Sequence, residues 1–143
     1  MIEYGVKYLP KDKVRYLMGV GDPIDLVENV IRGIDIFDCV SPTRLARHGH
    51  AFTRKGKINI KNAKYKEDFS VVDDNCDCEC CKFYTKAYIR HLLKAEERLS
   101  QRLLVMHNLW FYNSLMEKIR MHLDNGTFFE YLNECRGVLD KRI

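Results

Sequence analysis

No stretch of this sequence approaches the roughly 20 consecutive apolar residues needed to cross a bilayer. Its first residues, Met1-Ile2-Glu3-Tyr4-Gly5-Val6, lack the basic and apolar segments of a targeting peptide. With nothing pointing to an oxidising compartment, disulfides are not expected, and the cytoplasm is the default location. There is no internal repeat and no low-complexity segment. Acidic residues are missing from one region: between positions 44 and 66 the chain carries Arg44, Arg47, Arg54, Lys55, Lys57, Lys61, Lys64 and Lys66 and not one Asp or Glu. A formal net charge of +4 permits an anionic partner without requiring one. The basic run reads equally as a solvated face or, with Phe52 and Tyr65 interleaved, as a nucleic-acid surface.

Against these absences stands a dense group of thiols. Cys76, Cys78 and Cys81 form a C-x-C-x-x-C arrangement, and His107 follows 26 positions after the last of them. Three thiolates and an imidazole are the four ligands of a closed tetrahedral zinc site. Disulfides between cysteines so near in sequence are strained, which favours metal over bridges. Cys80 is left out, because adjacent side chains rarely point at one ion. A structural zinc ion contributes roughly 10–16 kcal/mol of apparent binding free energy, comparable to the ~7–20 kcal/mol net stability of a domain of this length. A zinc-ribbon DNA binder fits poorly, since no second C-x-x-C pair is present.

Earlier in the chain, Val14–Met18 is β-favourable and stops at Gly19-Val20-Gly21. Asp22 and Pro23 open a helix through Arg32, with Leu26, Val27, Val30 and Ile31 at helical spacing and Gly33 as its stop. Ile34–Val40 reads as a second strand. Strand, helix and strand within this length predict a βαβ unit with parallel strands. Period-2 alternation puts Ile34, Ile36, Asp38 and Val40 on one face. Asp38 is then a carboxylate near the C-terminal end of a parallel strand, where α/β proteins do chemistry. The same residue read structurally would accept hydrogen bonds from the following turn.

Thr43–His50 reads as a polar, basic loop, and Phe52–Val72 as short strands of a small β subdomain. A helical stripe follows through Tyr84, Tyr88, Leu92, Ala95, Leu99, Leu103 and Met106, with His107 where that helix ends or bends. Leu109, Tyr112, Leu115, Ile119 and Leu123 continue it to Asp124-Asn125-Gly126. Thr127 with Glu130 predicts a capping box for a last helix ending at Gly137.

Taken together, these words are similar to the C-terminal part of bacterial-type tRNA-guanine transglycosylases. The resemblance rests on Arg15–Gly21, Gly33–Val40 with Pro42-Thr43-Arg44, Ala46-Arg47, Gly49, Ala51-Phe52, the three cysteines and His107-Asn108-Leu109. It implies an α/β fold forming the last two strands of a TIM (β/α)8 barrel, with a zinc-binding subdomain and C-terminal helices. Residues 1–50 would be the partial barrel segment and residues 51–143 the zinc-binding subdomain. It also implies that Asp38 is the catalytic nucleophile, that Tyr16, Met18 and Gly19 border the base pocket, and that Arg44 and Arg47 hold the tRNA anticodon loop. Cys76, Cys78, Cys81 and His107 would bind one structural Zn2+. The implied partners are tRNA, a 7-deazaguanine base such as preQ1 or queuine, and a second copy of the chain in a homodimer. Six barrel strands and the general acid/base aspartate have no counterpart here, so the expectation is a C-terminal fragment, split gene product or truncated paralogue, completed by a separate N-terminal half. The alternative is a non-catalytic zinc module for dimerisation or tRNA binding.

Overall fold

The computed structural model of the chain describes residues 2–143 and is mixed α/β. A short helix α1 (Ile2–Val6) precedes strand β1 (Tyr16–Met18), helix α2 (Pro23–Val30) and strand β2 (Ile36–Asp38). The two strands are parallel, with Tyr16 opposite Ile36 and Met18 opposite Asp38. The βαβ unit is therefore present, with strands shorter than the apolar runs suggest. Pro23 occupies the first turn of α2, while Asp22 stands at the N-cap position without a side-chain capping bond. Gly33 leaves the helix at a φ of 87°, and the Arg15 guanidinium lies where a β-carbon would stand. The left-handed backbone there favours glycine.

Helix α3 (Ser41–Arg47) follows β2 directly. The basic segment is thus helical where an open loop was expected, because Pro42 is preorganised for a first helical turn. Strands β3 (His50–Thr53) and β4 (Gly56–Asn59) then form an antiparallel hairpin. The further strands expected near Phe69 and Val71 do not form, and Phe69 is 76% exposed. The backbone there is engaged elsewhere: the carbonyls of Asp68 and Ser70 accept hydrogen bonds from the Ala87 and Lys86 amides. These satisfy first-turn donors that a helix cannot bond internally.

Helices α4 (Glu79–Phe83), α5 (Lys86–Lys94), α6 (Arg98–Asp124) and α7 (Phe128–Arg136) complete the chain. The single helix expected through Met106 is broken at 95–97. Glu96 takes a φ of 58°, and the Glu97 amide reaches back to the Leu92 carbonyl at 2.9 Å. This is a Schellman ending with glutamate where glycine is usual, so no glycine announced it. His107 consequently lies in the middle of α6, not at a helix end. The buried face of α6 also differs from the expected stripe, since Leu109 and Leu123 are exposed while Leu104, Asn108 and Phe111 are buried. Asn125-Gly126 does end α6, with Gly126 at a φ of 70°. The capping box does not form; Thr127 Oγ1 instead meets His122 Nδ1 at 2.8 Å.

Two buried clusters make the interior. One gathers Ala51, Ile58, Ile60, Ile89, Leu92, Leu103 and Leu104 around the cysteines. The other joins Leu26 and Val27 of α2 to Phe52, Phe111, Leu115, Ile119, Phe128 and Leu132. At 27 residues, α6 is about 40 Å long and contributes to both. Glu28 links α2 to α7 by accepting hydrogen bonds from Arg136 and Arg32, which hold its carboxyl well below the usual range, at about 2. No helix of the described residues is long and apolar enough to cross a membrane.

Candidate active site and metal centre

The thiols converge because the segment before α4 turns tightly. The Cys76 amide bonds the Asp73 carbonyl, and the Cys81 amide bonds the Cys78 carbonyl as α4 begins. α6 brings His107 back across this turn. Its Nδ1 lies 3.5 Å from Cys76 Sγ, 3.6 Å from Cys78 Sγ and 3.4 Å from Cys81 Sγ. One ring nitrogen offers one lone pair or one proton, so it cannot hydrogen-bond three sulfurs at once. A tetrahedral ion with Zn–S of about 2.3 Å and Zn–N of about 2.0–2.1 Å puts nitrogen and sulfur about 3.5 Å apart. The four ligand atoms all lie within 4.8 Å of one another, and all four residues are buried. They can hold one metal ion, and the donor set fits a closed structural zinc site.

The rest of the imidazole is fixed as well. His107 Nε2 lies 2.8 Å from the Phe52 carbonyl. A carbonyl can only accept, so Nε2 carries the proton and Nδ1 presents its lone pair to the ion. Cys80 is fully buried in the surrounding apolar cluster and is not one of the four grouped ligands. Burial of several thiols together disfavours their joint ionisation unless a cation neutralises them.

Beside His107 is a residue that sequence reasoning passed over except as part of a shared word. Asn108 is completely buried, and its amide ties three elements together. Oδ1 accepts from the Phe52 amide at 3.1 Å, while Nδ2 donates to the Pro42 carbonyl at 2.9 Å and the His50 carbonyl at 3.2 Å. Adjacent residues of α6 therefore face the candidate metal site on one side and the start of α3 on the other. A lone asparagine in a helical stripe gives no sign of this; only the fold brings three backbone partners to it. We expect Asn108→Ala to leave two carbonyls and an amide unpaired in the interior. The cost should be about 2–4 kcal/mol, read as a lowered urea midpoint with metal content unchanged.

Just before α3, the parallel register sets Met18 beside Asp38 at the C-terminal ends of their strands. The Tyr16 hydroxyl donates to Asp38 Oδ2 at 3.1 Å, and the Gly19 amide donates to the Asp38 carbonyl at 2.7 Å. Desolvation and the bond to Asp38 raise the Tyr16 phenol above its ordinary pKa, so it stays protonated as a donor. Asp38, Tyr16, Met18 and Ile36 are all exposed. This face of the two strands is open, whereas Phe37 on the other face packs against the second cluster. Gly19 has a φ of 82°, and nothing lies within 4 Å of where its β-carbon would be. Arg44 and Arg47 sit three residues apart on α3, exposed, and make no ion pair among the described residues. The direct Tyr16–Asp38 contact is a second feature the sequence did not reveal, because it depends on strand register.

Fold and site together define a mixed α/β protein with a buried Cys3His centre, whose first strands end in an open carboxylate. The family model described as queuine tRNA-ribosyltransferase matches residues 1–139, and the chain belongs to that family. The queuine tRNA-ribosyltransferase of Clostridium acetobutylicum is 54% identical over 134 residues, covering 94% of this chain and 36% of its own length. That of Clostridium perfringens is 56% identical over 131 residues, covering 92% and 34%. That of Halothermothrix orenii is 53% identical over 142 residues, covering 99% and 38%. The chain thus spans between 34% and 38% of the length of these relatives.

Proposed function

We propose that this chain supplies the nucleophile and the metal-braced subdomain of a tRNA-guanine transglycosylase. The enzyme would exchange guanine 34 of the anticodon for a 7-deazaguanine such as preQ1 or queuine. The observation that carries this reading is the carboxylate of Asp38, at a parallel strand end, accepting a hydrogen bond from Tyr16 and open to a ligand. A carboxylate oxygen bonds to C1′ as the C1′–N9 bond breaks, and guanine departs with the electron pair, taking up a proton. The incoming base surrenders its N9 proton, attacks C1′ and opens the ester, returning the carboxylate. Such capture of an oxocarbenium-like centre is the chemistry of retaining glycosidases. The proton transfers fall to the second aspartate that the family resemblance implies outside this chain.

In this reading Tyr16 orients Asp38, and Met18 and Gly19 border the base, where a missing side chain lets the purine approach. Arg44 and Arg47 hold the anticodon loop, since single-stranded RNA is read through splayed bases and phosphates. Residues 1–50 are the last two strands of a TIM barrel, and residues 51–143 are the zinc-binding subdomain. Zinc takes no part in the chemistry and ties α6 to the cysteine turn and α4. A homodimer through the zinc subdomain is supported by the exposed Phe83 beside the stacked Tyr84 and Tyr88 rings. The protein works in the cytoplasm, with its substrate tRNA.

A second reading has its own support. The uncovered face at Tyr16, Met18 and Ile36 leaves no closed base pocket among the described residues, as a non-catalytic zinc module would have it. Labelled guanine decides between them. Mixed with a polypeptide supplying the other six strands, the chain is expected to exchange guanine into tRNA. If metal-loaded protein binds tRNA yet never exchanges the base, the module reading replaces the enzyme.

A further inference from the structure

One face of the β3–β4 hairpin gathers basic side chains around its edge, with Lys57 Nζ 5.6 Å from the centre of the buried Phe52 ring. His50 pairs with Asn59, and Phe52 pairs with Lys57 two residues along. Opposed residues project to the same side of a sheet. Residues 141–143 widen this sheet: the Lys57 amide donates to the Lys141 carbonyl at 2.8 Å, and the Ile143 amide to the Lys57 carbonyl at 2.9 Å. Lys57 is thereby bridged to Arg142. His50, Lys57 and Arg142 therefore stand on three neighbouring strands, a width of about 10 Å. The stem of Lys61 lies against Gly49, whose lack of a side chain admits it.

None of Lys57, Lys61 and Arg142 makes an ion pair among the described residues. His50 reports the resulting field. Burial lowers its pKa, and the nearby charges that lower it further are all basic: Lys57, His48, Lys61 and Arg142. A merely solvated surface disperses such charges; here three strands and a loop bring them together around a half-buried imidazole. Convergent like charges repel unless an anion joins them.

We propose that His50, Lys57, Lys61 and Arg142 form a second phosphate-binding surface. It takes the sugar-phosphate backbone of the RNA adjoining the loop held at Arg44 and Arg47. The inference rests on the RNA-binding reading above, and α3 leads straight from those arginines into β3. Arg142 offers a planar fork for phosphate oxygens, and the lysines act as mobile point charges. No base edge is read here, so the surface adds affinity without sequence preference.

The test measures binding of an anticodon stem–loop RNA to the full chain across a salt series, comparing the unaltered protein with a triple variant, Lys57→Gln, Lys61→Gln and Arg142→Gln. Losing three phosphate contacts makes the slope of log affinity against log salt shallower by about 2. Affinity at low salt should fall at least tenfold. In the unaltered protein, the His50 titration followed by NMR should move to higher pH when the RNA binds. The surface is refuted if slope and affinity stay unchanged, or if His50 does not move, while Arg44→Gln with Arg47→Gln still weakens binding; the functional reading then stands. Failure of the unaltered chain to bind the RNA removes both.

Discussion

Asp38→Asn is expected to abolish base exchange, by about 10⁴-fold or more, equivalent to ~5 kcal/mol or more of transition-state stabilisation. The substitution keeps the size of the side chain and an oxygen that can accept the Tyr16 hydroxyl, so the local geometry at the strand end survives. What it removes is the anionic oxygen that would bond to C1′. The variant should bind metal and RNA as the unaltered chain does, yet form no covalent RNA adduct under denaturing electrophoresis. Undiminished exchange, or an adduct that persists in the variant, would dismiss Asp38 as nucleophile. Equal losses of adduct and of metal would mean that the substitution had disturbed the fold.

Metal removal is expected to produce the largest loss of stability. Without the ion, three buried thiols and an imidazole crowd one site with nothing to neutralise their charge. The apparent binding free energy of a structural zinc ion, roughly 10–16 kcal/mol, rivals the net stability of ~7–20 kcal/mol for a domain this long. A strong chelator should therefore unfold the hairpin and α4 to α6, visible as lost helical circular dichroism and recovered on adding zinc. His107→Ala should mimic this, leaving the Phe52 carbonyl without its donor. Cys80→Ser is the control: it perturbs the apolar cluster and should leave one zinc per chain. A chelated protein that melts at its original temperature would refute the structural role.

Much of the site was legible because its residue types are unusual where they stand. Three cysteines at short spacing with a distant histidine have few other physical explanations, and the ligand atoms do converge. The parallel pair was legible from two apolar runs flanking a helix opened by Pro23. What escaped depended on interactions that sequence does not display. Glu96 adopts a left-handed conformation that glycine would have signalled, so the break between α5 and α6 was invisible and His107 was expected at a helix end. Ser70 and Asp68 give their carbonyls to α5, which diverted a segment that alternates like a strand. Asn108 and the Tyr16–Asp38 contact arise only once distant elements are in register.

Because α6 contributes to both buried clusters, opening of one is expected to loosen the other. Amide protons near Ile119 and Leu132 should exchange with solvent at the same opening rate as those beside Leu103, and zinc should slow them alike. A mineral anchor at one end would in that way set the lifetime of closed states at the other.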